Sequence, residues 1–300
     1  MSKMKRRICY CNITYKCNNN CINCISYNVK RHTKREVSID DYRFFQERFH
    51  LNENDIWTIS GGEPTLSNSF EQIVAFCSNI SPHIILYSNG RNLKRLPEEV
   101  LKKIERIIVP IYGDKVSHNK YVNSPMAYDE TMMSLKSIIS KFPYKIDAKI
   151  LFNKDDSMEL FFNSDEWDFL KNNNTYFSIS RVLPSIEKSE CPNSIAKNAE
   201  KIIAELIKLG KAIRLYDIPL CLFNKKFQDY LSSCHIDGMN YDPVVICGSS
   251  EKRYKLFPFH KPTDMFEKCS TCPMLSICSM IMQNYFCPMI NGTKITITTE

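Results

Sequence analysis

The stretch "TYKCNNNCINCIS" places Cys17, Cys21 and Cys24 at the spacing C-x3-C-x2-C, and Cys9 and Cys11 lie just upstream in "ICYCNITY". Three thiolates in one short loop can hold three irons of a 4Fe-4S cluster and leave the fourth iron open to a substrate or cofactor. Ordinary electron-transfer clusters are closed by four cysteines. Zinc is the alternative, since it also takes three or four thiolates. Cys9 and Cys11 stand two apart in a strand-like run, so they share a side and read as small core hydrophobes. Further along, "SGGEPTL" pairs Gly61 with Gly62, which permits close backbone approach, and Glu63 adds a carboxylate at a strand end. Near the other end of the chain, "CSTCPMLSIC" gives Cys269-x2-Cys272-x5-Cys278.

The elements that must position these groups alternate along the first two thirds. Strand-like runs "ICYCNITY", "DIWTIS", "HIILYS", "RIIVPIY", "KIDAKILF" and "YFSISRVL" are each followed by a helical pattern. In "SIDDYRFFQERFHL", Ser38 is placed to cap a helix whose apolar residues recur at helical spacing. Gly210 closes the last helix. Six β–α units imply a parallel sheet with helices outside it, and continuous apolar strands predict burial on both faces. Pro110 in the fourth strand is a dissonance, because it removes one ladder donor. After about residue 218 the alternation stops, and "YDPVVICGSSEKRYKLFPF" reads as a hairpin.

The 14 cysteines occur in a chain with no signal-peptide pattern and no apolar run of membrane-spanning length. This predicts a cytoplasmic protein with reduced thiols, used for metal binding or catalysis rather than for disulfides. The formal net charge is +7, and the basic runs near Lys3–Arg7 and Lys30–Arg35 read as solvated faces.

The two motifs together, C-x3-C-x2-C and GGEP at the end of the next strand, resemble those of the radical S-adenosylmethionine (radical SAM) enzymes. The resemblance spans about residues 8–215. It implies an α/β fold, a partial (β/α)6 parallel barrel over residues 8–218, with a small cysteine-rich module over 219–300. By that resemblance Cys17, Cys21 and Cys24 ligate the SAM-binding 4Fe-4S cluster. Gly61, Gly62, Glu63 and Pro64 bind the methionine amino group. Ser88 and Asn89 of "SNG" match the usual third-strand contact, and Asn153 and Arg181 sit where polar SAM contacts occur. Asn23 stands where the family often has an aromatic residue, so its backbone can meet adenine but ring stacking is lost.

The tail spacing resembles the auxiliary modules called SPASM and twitch. It implies a second 4Fe-4S cluster on Cys269, Cys272 and Cys278 with Cys221 as fourth ligand, or a zinc knuckle as the alternative. Loaded with both clusters the chain carries about +4, which disfavours nucleic acid as a partner. The implied chemistry is reductive SAM cleavage to a 5′-deoxyadenosyl radical, with a flavodoxin- or ferredoxin-type one-electron donor. The leading substrate is a ribosomally made peptide. Because the β/α region starts at about Ile8, no usual leader-binding domain is expected ahead of it, which keeps small-molecule oxidation as the second reading. A non-catalytic iron–sulfur or zinc protein is the alternative of another class, and GGEP argues against it. Cys234 and Cys247 are candidate hydrogen-atom donors, weighed against bystander roles.

Overall fold

In the computed structural model, the described residues are 6–24, 36–152, 158–182, 193–216, 218, 220–228, 241–247 and 254–256. Their strands are β1 (Arg6–Thr14), β2 (Ile56–Gly61), β3 (Ile84–Tyr87), β4 (Arg106–Ile111), β5 (Ile146–Phe152), β6 (Tyr176–Arg181), β7 (Ile213–Leu215), β8 (Tyr241–Cys247) and β9 (Tyr254–Leu256). They form one sheet in the order β7-β6-β5-β4-β3-β2-β1-β8-β9. β1 to β7 are parallel neighbours, β8 joins β1 in parallel, and β9 returns antiparallel on β8. The hairpin reading holds for β8 and β9. All six expected β–α units are present, and a further parallel strand the reading did not include, β7, follows the sixth. Three residues are too few for a periodic signal.

Helices α1 (Ile39–Phe49), α2 (Phe70–Ile80), α3 (Glu98–Lys103), α4 (Lys115–Val122), α5 (Ala127–Lys141), α6 (Glu159–Phe162), α7 (Asp165–Asn172) and α8 (Asn193–Lys208) fill the connections. α1 begins in a capping box: Ser38 Oγ accepts from Asp41 N at 3.2 Å while Ser38 N donates to the Asp41 carboxylate at 2.9 Å. Gly210 takes φ 65° just past α8, as its place in the sequence implies. The pattern "SMELFFNSDEWDFLKNN" divides into α6 and α7, because Ser164 caps a new helix by accepting from Trp167 N. α4 has no counterpart in the periodicity reading, since few of its residues are apolar. Its signal was Asp114, whose carboxylate accepts from Val116 N and Ser117 N.

The two faces of the sheet differ. Cys9, Cys11, Trp57, Ile59, Val109 and Phe177 typify the helix side, an apolar cluster with almost no exposure. Alternation sends Tyr10, Tyr87, Lys149, Ser178 and Arg214 to the other side. The expected burial on both faces holds, since Thr58, Ile108, Asp147 and Ser178 on the lumen side are buried, but that side is largely polar whereas the helix side is apolar. The sheet curls around that lumen. Burial, then the charge of Tyr216 just past β7, pushes up the phenol of Tyr10 in β1. Six strand spacings of a flat sheet would separate these strands by about 29 Å.

Pro110 costs no sheet hydrogen bond to β5. Ile107 N donates to Lys145 O toward β5, whereas Ile108 O accepts from Ser88 N on the β3 side. By alternation Pro110 faces the β3 side, past the end of β3 at Tyr87. No described helix is long and apolar enough to cross a membrane.

Candidate functional site

The cysteine loop leaves the end of β1 and is fastened from several directions. Gly62 N donates to Thr14 O and Glu63 N to Lys16 O, both at 2.7 Å, so the turn after β2 grips the backbone just before Cys17. A Cβ on Gly61 would lie 2.2 Å from Thr14 O, and one on Gly62 would lie 2.3 Å from Lys16 O. Gly61 also has φ 132°. Both glycines are therefore dictated by the approach of the loop backbone.

Glu63 has no exposed surface, and its carboxylate is fully engaged. It accepts from Thr65 N at 3.2 Å, Thr65 Oγ1 at 2.7 Å, Ser88 Oγ at 2.9 Å and Asn89 N at 2.7 Å. Burial raises its pKa, and these hydrogen bonds oppose that rise. Glu63 thus ties the turn after β2 to the turn after β3. Asn89 continues the tie into the loop: its Nδ2 donates to Asn18 Oδ1 at 2.6 Å and to Cys17 Sγ at 3.9 Å. Asn19 N also donates to Cys17 Sγ, at 3.4 Å.

Arg91 is a residue the sequence reading did not single out. Its guanidinium donates to Asn18 O, to Asn19 Oδ1 at 2.9 Å and to Glu130 Oε2 of α5 at 2.5 Å. The far half of the loop rests on α4, where Val122 O accepts from Asn20 N at 2.9 Å and Tyr121 O from Ile22 N at 3.0 Å. Cys21 packs with Tyr112 and Val182 against Tyr121, Val122 and Ala127. Tyr112 and Tyr121 stack with ring centroids 4.0 Å apart. Burial, then Tyr121, then the thiols of Cys21, Cys24 and Cys17 push the Tyr112 phenol up, so all three thiols act on that phenol. The only advance signal for Arg91 and Tyr112 was adjacency, one residue after "SNG" and one after β4.

Cys17, Cys21 and Cys24 are half-buried, whereas Cys9, Cys11 and Cys77 are buried. Among the described residues no three His, Cys, Asp or Glu side chains converge as ligands of a single ion. Asn23 is half-buried in the loop, and Pro64 is buried at the start of the 3-10 turn Pro64–Leu66. Ser88 is buried, and its hydroxyl also accepts from Gly90 N at 3.0 Å. Arg181 is buried at the end of β6, opposite Phe152. Cys221 is exposed, and the backbone of Cys247 at the end of β8 lies opposite Asn12 of β1. Asn153, Cys234, Cys269, Cys272 and Cys278 lie outside the described residues.

The family model described as Radical SAM superfamily matches residues 11–147, which include the cysteine loop, both turns and Tyr112. Residues 11–147 match that superfamily's pattern, and the similarity to enzymes of this kind marks the chain as an enzyme. A curated relative, the AdoMet-dependent heme synthase of Methanosarcina barkeri, is 23% identical over 142 residues, 46% of this chain and 41% of that protein. The chain spans about half or less of the length of the curated relatives it matches. Streptococcus suis SuiB bound to its precursor peptide SuiA superposes with a TM-score of 0.64 at 16% identity, covering 92% of this chain and 71% of SuiB. The protein anSMEcpe with bound AdoMet and the Cp18Cys peptide superposes with a TM-score of 0.60 at 14% identity, covering 91% and 88%. At these identities the likeness to the solved structures is one of fold.

Proposed function

We propose that this chain holds a 4Fe-4S cluster on Cys17, Cys21 and Cys24, cleaves S-adenosylmethionine reductively, and uses the 5′-deoxyadenosyl radical to take a hydrogen atom from a peptide. The observation that carries the radical reading is the fastening of the loop: its backbone is bonded to two turns and α4, yet its thiols stay half-exposed. The donor set fits the group. The thiols of Cys17, Cys21 and Cys24 all act on the Tyr112 phenol, and three thiolates gathered in one loop can take three irons of such a cluster. When bound, the cluster supplies the electron for SAM cleavage.

The chain's own residues bind, orient and shield. The N–H groups of Gly62 and Glu63 are already committed to the loop, so carbonyl oxygens of the turn are left to accept from the ammonium of SAM. Pro64, Asn23, Ser88, Asn89, Asn153 and Arg181 complete the proposed cofactor contacts. The polar lumen positions the substrate. Two proteins of the same fold, SuiB and anSMEcpe, have been seen with peptides, which supports a peptide substrate. The heme synthase relative supports small-molecule chemistry as the second reading.

Residues 8–218 form the barrel domain in this proposal. Residues 219–300 form a twitch-like module whose Cys221, Cys269, Cys272 and Cys278 hold a second 4Fe-4S cluster. A flavodoxin- or ferredoxin-type protein supplies electrons in the cytoplasm, and Cys234 and Cys247 are the candidate hydrogen-atom donors. Anaerobic reconstitution tests the reading: about eight irons and SAM cleavage under dithionite are expected. Stoichiometric zinc without sulfide would overturn it.

A further inference from the structure

Three strands carry a row of side chains that neither the core nor the cofactor contacts explain. Lys149 of β5 is in register with Ser178 of β6, and Ser178 with Arg214 of β7. Their strand neighbours on both sides, such as Ala148, Phe177 and Leu215, belong to the helix-side core, so the row faces the lumen. Two strand spacings set the Lys149 and Arg214 backbones about 10 Å apart, close enough for both side chains to reach one group between them. The curl of the sheet closes over the row. Lys149 Nζ lies 5.0 Å from the centre of the Tyr216 ring. Burial, then Tyr10, Tyr216 and Asp147, push the Tyr87 phenol up, with Arg214 acting in the opposite sense.

The row carries more positive charge than the one carboxylate near it, Asp147, balances. Lys149 and Arg214 are half-buried, and among the described residues neither forms an ion pair. Asp147 of the same lumen feels Lys149 but is shared: Ser178 Oγ donates to its Oδ1 at 2.7 Å, and Arg106 stands 3.8 Å from its other oxygen. Lys149, Arg214 and Arg106 against the single carboxylate of Asp147 leave a positive excess, partly withdrawn from water, that an anion between Lys149 and Arg214 would offset. The row is also displaced from the proposed cofactor contacts. Arg181 is three residues beyond Ser178 on β6, about 10 Å toward the end of the sheet that carries the cysteine loop.

We propose that Lys149 and Arg214, flanking Ser178 and overhung by Tyr216, bind a carboxylate group of the substrate inside the barrel. This rests on the radical SAM reading and deepens it by naming the substrate class: a molecule that carries an acidic group into the lumen. The acid can be a Glu or Asp side chain of a peptide or a free small acid, and the same ammonium and guanidinium would recognise either.

Calorimetric titration of the reconstituted protein with SAM present tests the proposal, using glutarate and acetyl-Gly-Glu-Gly-amide as probes. Glutaramide and acetyl-Gly-Gln-Gly-amide are the uncharged controls. At least one acid should bind and its amide should not. Lys149→Met and Arg214→Met should each weaken binding about tenfold, as expected for loss of one charge-assisted hydrogen bond, and Lys149→Arg should restore it. Binding of the peptide alone assigns the acid to a peptide, and binding of glutarate alone assigns it to a small molecule. Equal binding of the amides, undiminished binding in both Met variants of normal iron content, or no binding of either acid overturns the proposal. The radical reading fails on a separate readout, the iron content and SAM cleavage of the unaltered protein, whatever the probes do.

Discussion

Cys11 and Cys17 are six positions apart in sequence, yet they occupy opposite environments. Cys11 points into the helix-side core and has no exposed surface. Cys17 sits in a loop held by hydrogen bonds, half-exposed, with two N–H groups directed at its sulfur. In the core, position is set by packing and is indifferent to hydrogen-bond direction. In the loop, position is set by directional bonds from Gly62, Asn89, Arg91 and α4. A thiol in apolar packing is inert, while one in a fixed polar loop is available as a ligand.

The thiols themselves give the largest contrast. Replacing Cys17, Cys21 and Cys24 together by Ala should abolish SAM cleavage and remove about half the iron, with little change in the unfolding midpoint. Replacing Cys9 or Cys11 by Ala should do the reverse, keeping the iron and costing about 1–2 kcal/mol in denaturant unfolding. Iron loss in the Cys11 variant equal to that of the loop variant would break the comparison.

The glycines come next. Gly62→Ala forces a methyl group into the Lys16 carbonyl and should cost about 3 kcal/mol or release the loop, read as lost iron after reconstitution. An Ala variant with full iron content would show that the turn does not grip the loop.

The lumen offers a pH-dependent test. Burial raises the Asp147 pKa to about 6, opposed by its hydrogen bond from Ser178 and by Lys149. The folded protein therefore takes up this proton before the unfolded chain does, so stability from this group rises as pH falls from neutral. Between pH 6.5 and 5 the gain should be about 1 kcal/mol, and Asp147→Asn should remove it. Urea unfolding of both proteins at the two pH values measures the difference, and identical pH dependence would count against the buried, ionisable state of Asp147.

The smallest effect concerns the sulfur of Cys17. Asn89→Ser deletes the Nδ2 donor and should shift the cluster to a lower midpoint potential at unchanged iron content, because hydrogen bonds to cluster sulfurs favour the reduced state. An EPR-monitored redox titration reads this, and an unchanged midpoint would leave the Asn19 amide as the donor that matters.

What the sequence determined on its own is local. The C-x3-C-x2-C loop, the paired glycines, the cap at Ser38 and the strand alternation each need only a few neighbouring residues, and the structure places Cys9 and Cys11 in the core as their spacing implies. The tertiary structure decided what depends on distant segments. α4 carries almost no periodic signal, yet it supports the loop through Tyr121 and Val122. Three-residue β7 and the parallel placement of β8 beside β1 are fixed by pairing across long separations. Arg91 binds the loop only because the turn after β3 comes to lie beside it. The row Lys149, Ser178 and Arg214 exists only through the register of three strands. No local pattern in any one of those strands specifies which residue its neighbours will set beside it, because register is fixed when the whole sheet assembles.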